Sequence, residues 1–128
     1  MNITIRTQHF DVSHAIQSFV RNKVESALAR FHDEVLSVDV FLSDINGPKG
    51  GQDKRVVIRI QLRRRHQVTV ESLHDDLYAA ISSGSKKARR VVRRKLRKLR
   101  KVQRLSLRNL PEQVGSGASS SEPYIYAG

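Results

Sequence analysis

The sequence contains no cysteine and no tryptophan, and only three prolines. Without cysteine there is no disulfide framework, no thiolate metal site and no cysteine nucleophile. No apolar run approaches the twenty or so residues that would span a bilayer. The opening residues, Met1-Asn2-Ile3-Thr4-Ile5-Arg6, alternate like a strand and do not form the apolar stretch of a signal peptide. Aromatic residues make up 5% of the chain. Phe19 and Phe31 fit a core pattern, so an exposed platform for stacking single-stranded bases is not expected. The signatures of catalysis are also missing. His9, His14, His32, His66 and His74 have no helical pairing with an intervening acid, as a zinc site needs. Ser13, Ser43 and Ser72 lack a nucleophile-elbow setting. Asp75-Asp76 reads as a helix start, and the loop Gly47–Gly51 lacks the strand–loop–helix context of a phosphate cradle. The chain is therefore expected not to be an enzyme and to need no cofactor or metal.

What the sequence does have is positive charge in one place. Lys and Arg number 24 against 12 acidic residues, a net charge of +12 over 128 residues. Residues 1–85 are nearly balanced, with 11 basic and 10 acidic side chains. Residues 86–104 carry 12 basic side chains and no acid. Such a block attracts polyanions through counterion release, with nucleic acid or an anionic membrane surface as the candidates.

Periodicity places this block on a helix. Residues 2–6 form a short strand with Ile3 and Ile5 on one face. Asp11 or Ser13 caps a helix whose stripe runs Ile16, Phe19, Val20, Val24, Ala27, Leu28 and Phe31. Residues 35–43 alternate as a strand with Leu36, Val38, Val40 and Leu42 inward. Asn46–Gly51 is a loop. In the next strand, Arg55–Arg63, Val56, Ile58, Ile60 and Leu62 face one way and Arg59, Gln61 and Arg63 the other. Arg64 and Arg65 turn the chain into a strand over Gln67–Glu71. Asp75 or Asp76 opens a second helix, to about Lys101, with the stripe Leu77, Ile81, Ala88, Val91 or Val92, Leu96 and Leu99. Gly84 interrupts that stripe, at about 1 kcal/mol against alanine. The order β-α-β-β-β-α specifies an α+β fold, a four-stranded sheet with two helices on one face. The first two strands should be parallel through a right-handed crossover, and the other pairs antiparallel. Residues 1–102 form the folded domain, and 103–128, polar and rich in Ser and Gly, a flexible tail.

Two basic elements stand out. The second helix carries Lys86, Lys87, Arg90, Arg93, Arg94, Arg97 and Lys98 among its basic residues. A merely solvated face mixes signs, because like charges at i,i+4 repel by a few tenths of a kcal/mol per pair. An unmixed face therefore points to a polyanion that neutralises it. The hairpin residues Arg64 and Arg65 are the second element. A basic turn and a basic helix at separate places suit recognition of RNA by shape, through spaced phosphate contacts. A membrane surface would require bulky apolar residues free on the helix, and the sheet is expected to bury them, so no membrane partner is expected.

The segment Asp76-Leu77-Tyr78-Ala79-Ala80-Ile81, followed by Lys87, Arg90, Arg94 and Lys98, resembles the second helix of the ribosome hibernation-promoting factors. These are also called ribosome-associated translation inhibitors or sigma-54 modulation proteins. The opening strand, the Phe-Val-x-x-Lys-Val stretch at Phe19–Val24 and the element order agree over about residues 1–100. Gly84 and Lys86 depart from the leucine and aspartate commoner in the family. The resemblance implies a short form with a fold similar to double-stranded RNA-binding domains. It also implies a cytoplasmic, stationary-phase or stress-response factor that binds the small ribosomal subunit and its ribosomal RNA, and the whole ribosome. Binding near the decoding centre and messenger channel would inhibit translation reversibly. Lys87, Arg90, Arg94 and Lys98 would carry the contacts, with Arg93 and Arg97 added on charge, and the protein would be a monomer off the ribosome. The alternative is a general structured-RNA-binding protein or RNA chaperone with no ribosome dependence.

Overall fold

The computed structural model describes residues 1–8, 11–44 and 54–108. The loop expected at Asn46–Gly51 and residues 109–128 of the expected tail lie outside them. The elements are β1 (Asn2–Gln8), α1 (His14–Leu28) with a 3-10 turn at Ala29–Phe31, β2 (Val35–Asp44), β3 (Lys54–Leu62), a 3-10 turn at Arg63–Arg65, β4 (Gln67–His74) and α2 (Leu77–Arg108). The sheet order is β1-β2-β3-β4.

Register follows the hydrophobic pattern, because a slip of one residue would turn every aliphatic side chain to the wrong face. β1 reaches β2 through α1 and pairs parallel to it, with Ile3 opposite Val38 and Ile5 opposite Val40. β2 and β3 are antiparallel, aligning Val38 with Ile60, Val40 with Ile58 and Leu42 with Val56. β3 and β4 are antiparallel as well, aligning Ile58 with Val70 and Ile60 with Val68. One face of the sheet is thus a continuous aliphatic surface, and its side chains are buried from Val38 to Val70. Full burial of each Val, Leu or Ile stabilises the fold by about 1.5–3 kcal/mol.

One strand position differs from the sequence pattern. Leu36 is 46% exposed and Val35 is buried in its place. The register shifts between Val35 and Ser37, and this β-bulge resets the alternation at the strand's first residues. The turn that β2 leaves is also held from the side, because the backbone N–H of Arg63 donates to the Glu34 carbonyl at 3.0 Å.

Both helices cover the aliphatic face and both begin at a side-chain cap. Ser13 Oγ accepts from the Ile16 N–H at 3.1 Å, and Asp76 Oδ2 accepts from the Ala79 N–H at 3.0 Å. Each bond satisfies one of the orphan donors of a helix start. Val20, Val24 and Leu28 of α1 are buried, as is Phe31 just beyond it. On α2 the buried positions are smaller: Ala80, Ile81, Gly84, Ser85, Ala88 and Val92. A Cβ added at Gly84 would meet Ile58 Cδ1 at 3.3 Å, Val56 Cγ1 at 3.5 Å and Ser72 Cβ at 3.6 Å. The glycine that interrupts the apolar stripe in the sequence therefore lies on it, directly over the sheet. Among the described residues the hydroxyls of Ser72 and Ser85 are buried without a hydrogen-bond partner, which costs about 1–3 kcal/mol for each unmet group.

The chain divides into two compact units, Met1–Val92 and Arg93–Gly128, so the two stretches of α2 are described separately below. The helix runs to Arg108 and not to Lys101. No glycine or proline falls between Val102 and Arg108, and the next helix breaker is Pro111. Residues 103–108 of the expected tail accordingly continue α2.

Candidate nucleic-acid interface

In the first unit α2 lies on the sheet and turns its polar side outward. The positions that alternate with Ala80, Gly84, Ala88 and Val92 are Lys86, Arg89 and Arg90, all exposed. Lys87 is half-buried, and its ammonium donates to the backbone carbonyl of Glu71 at 2.9 Å. It therefore satisfies an acceptor of β4, a strand at the sheet's edge, and it is less free than the sequence pattern suggests. Helix contacts step from Ser72 at Gly84 to Glu71 at Lys87. As the helix advances to Val92 it thus runs back along β4 toward the end of the sheet where the Arg63–Arg65 turn lies.

That turn is held in a costly shape. Both Arg64 and Arg65 have φ of 64°, in the left-handed region that costs an L-residue about 1–2 kcal/mol and that glycine adopts freely. The turn is closed by the Leu62 N–H donating to the His66 carbonyl at 2.7 Å and by Gln61 Nε2 donating to the same oxygen at 3.2 Å. Arg63 is pinned by its backbone to Glu34, and its Nε donates to the Asp33 carbonyl. Arg64 and Arg65 are exposed at the tip.

In the second unit α2 continues with Arg93, Arg94, Arg97, Lys98, Arg100, Lys101 and Arg104 exposed, while Leu96 is buried. Residues three and four apart share a face of a helix. Arg93, Arg94, Arg97, Lys98 and Lys101 thus form adjoining rows of one sign along this stretch of the helix. None of the basic side chains from Lys86 to Arg104 has a carboxylate partner among the described residues. The helix supplies a stack of charge-assisted donors and has no acid to quench it.

Sequence reasoning missed the opposite face of the sheet. Phe41 stands there on β2, with the guanidinium of Arg6 at 5.6 Å and that of Arg59 at 5.9 Å from its ring centroid. Both distances are within the range of a cation–π contact. The three residues lie on strands far apart in sequence, and only the register β1·β2·β3 brings them together. A second aromatic contact ties the helices: Phe19 and Tyr78 meet edge to face at 4.8 Å, with Lys23 Nζ 5.5 Å from the Phe19 ring. No helix among the described residues is long and apolar enough to cross a membrane.

A family model described as sigma 54 modulation protein / S30EA ribosomal protein matches residues 3–100. Among solved structures, the Thermus thermophilus Protein Y N-terminal domain is similar, with 30% identity and a TM-score of 0.62. That match covers 73% of this chain and 98% of the Thermus domain. A ribosomal subunit interface protein from Coxiella burnetii shares the fold, at 20% identity and a TM-score of 0.62, covering 74% of this chain and 97% of its own. No curated protein matches the chain.

Proposed function

From the premise that this chain belongs to the sigma 54 modulation protein / S30EA ribosomal protein family, we propose that it is a non-enzymatic ribosome hibernation factor. In this reading it acts in the cytoplasm, binds the small ribosomal subunit near the decoding centre and messenger channel, and reversibly inhibits translation under stress or in stationary phase. The observation that carries the reading is the basic face of α2, where Lys86 to Arg104 have no carboxylate partner among the described residues. Like charges held at i,i+3 and i,i+4 spacing repel one another. A close polyanion reverses the sign of that cost, and ribosomal RNA is such a polyanion.

Arg90, Arg93, Arg94, Arg97 and Lys98 are the contacts, helped by Lys86. Lys87 contributes from its place over β4. The turn at Arg64 and Arg65 supplies a second contact, at the end of the sheet toward which α2 runs in the first unit. Two such elements match phosphates by shape more than by base sequence. Sedimentation of a cell extract on a sucrose gradient tests the reading: the protein should travel with small subunits and whole ribosomes and leave them in high salt. Equal affinity of the purified protein for small subunits and for any structured RNA would instead make it a general RNA chaperone.

A further inference from the structure

We propose that the open face of the sheet is a second RNA site, one that stacks an unpaired base on Phe41 between the guanidinium groups of Arg6 and Arg59. The face is not simply a solvated one. Of its cations, Arg55 is paired with Glu71. Arg6 and Arg59 have no carboxylate partner among the described residues. Asp39 sits directly opposite Arg59 in the register, yet the Arg59 guanidinium lies over the Phe41 ring. The result is a cluster of three flat groups, two of them cationic, on the inner strand β2 and its two neighbours. A depression of about 460 Å³ opens there, lined by Arg6, Gln8, Phe41, Ser43, Val57 and Arg59, large enough for a small ligand by general experience.

The chemistry of this depression fits a nucleotide of single-stranded RNA. Bases freed from a helix stack on aromatic rings and on arginine planes, and the uncovered side of a four-stranded sheet is a common place for them. The two arginines also supply charge for the flanking phosphates. Gln8 and Ser43, opposite each other in the register, offer hydrogen bonds to a base edge. Stacking tolerates any base, so the site selects single strands over duplexes and not one sequence over another. It goes beyond the helix reading, which needs only phosphates and is indifferent to bases.

The test uses the intact protein and two RNA-like strands of equal length and charge, one with bases and one abasic. The base-containing strand should bind about tenfold more tightly, in line with stacking on an aromatic side chain. Phe41→Leu should erase that difference while leaving the abasic strand's affinity unchanged. The chain has no tryptophan, so Phe41→Trp provides a single reporter, whose emission the base-containing strand should quench and the abasic strand should not. Neutralising Arg90, Arg94 and Lys98 should weaken both strands alike and preserve the difference between them. If the protein left ribosomes alone yet kept the difference and the quench, the helix reading would fall and this site would stand. Equal affinity for the two strands, a difference that survives Phe41→Leu, or an unquenched reporter overturns the proposal.

Discussion

Helices α1 and α2 perform the same structural task with different materials. Both start at a side-chain cap and both cover the aliphatic side of the sheet. α1 buries Val20, Val24 and Leu28, and its exposed residues include Arg21, Lys23 and Glu25, a mixed set typical of a solvated face. α2 buries Ala80, Gly84, Ser85 and Ala88 beside Ile81 and Val92, and its outer face is basic without an acid. Small residues bring the backbone of α2 close to the sheet, and the like charges outside raise its free energy when nothing is bound. A helix selected only to close a core would avoid the second feature. The contrast sets α1, a helix that closes the core, against α2, which closes the core and also carries the unmixed basic face on which the proposed function rests.

The strongest way to break this contrast is salt. If about six phosphates are engaged, affinity for small subunits should fall roughly a thousandfold between 50 and 200 mM salt, by analogy with duplex slopes. Filter binding across that range measures it, and a flat profile would remove the electrostatic distinction between the helices. Next in size is replacement of Arg90, Arg94 and Lys98 by Gln, expected to cost about a hundredfold in affinity and to flatten the salt slope by about three units. Arg21→Gln with Lys23→Gln on α1 should change affinity by no more than about twofold in the same assay. Equal losses from the two helices would show that net charge, and not the face of α2, drives binding.

Smaller effects sharpen the packing half of the comparison. Gly84→Val pushes a branched side chain into Ile58 and Val56 and should cost about 2 kcal/mol in urea unfolding, by overpacking. Ser26→Val, on the exposed side of α1, should stay within about 0.5 kcal/mol. The smallest effect is expected at the hairpin. Arg65→Gly relieves a left-handed backbone and should raise stability by about 0.5–1 kcal/mol, after the greater freedom of glycine in the unfolded chain is counted. It should also weaken subunit binding, by no more than about tenfold. A gain in stability with no loss in binding would leave the strained arginine without a purpose.

Much of this was visible along the chain. The element order, the parallel first pair and the aliphatic rows of β3 follow from alternation and helical spacing, which are local signals. The basic block was visible because it is contiguous. What escaped depends on contacts across the fold. The bulge at Val35–Ser37 turned Leu36 outward, and no local alternation announces it. Gly84 looked like a flaw until Val56, Ile58 and Ser72 were seen beneath it. The Lys87 bond to Glu71 joins residues 16 apart that only the packing of α2 over β4 brings into reach. Phe41 gave no hint of its two arginines, because Arg6 and Arg59 belong to strands on either side of it. The helix outlasted its expected end because no breaker precedes Pro111.

The parallel pairing of β1 with β2 also sets an order of events during synthesis. Asn2 waits for Ser37, and the aliphatic face of the sheet waits for the helix that begins at Leu77. Pairings between distant residues form slowly, because loop closure must come first, while chains emerge from the amino terminus onward. α2 is the last described element to appear, and with α1 it shields the sheet. A half-made chain therefore exposes an aliphatic surface and lacks the cationic helix. It is most prone to aggregate until α2 has emerged and closed the core.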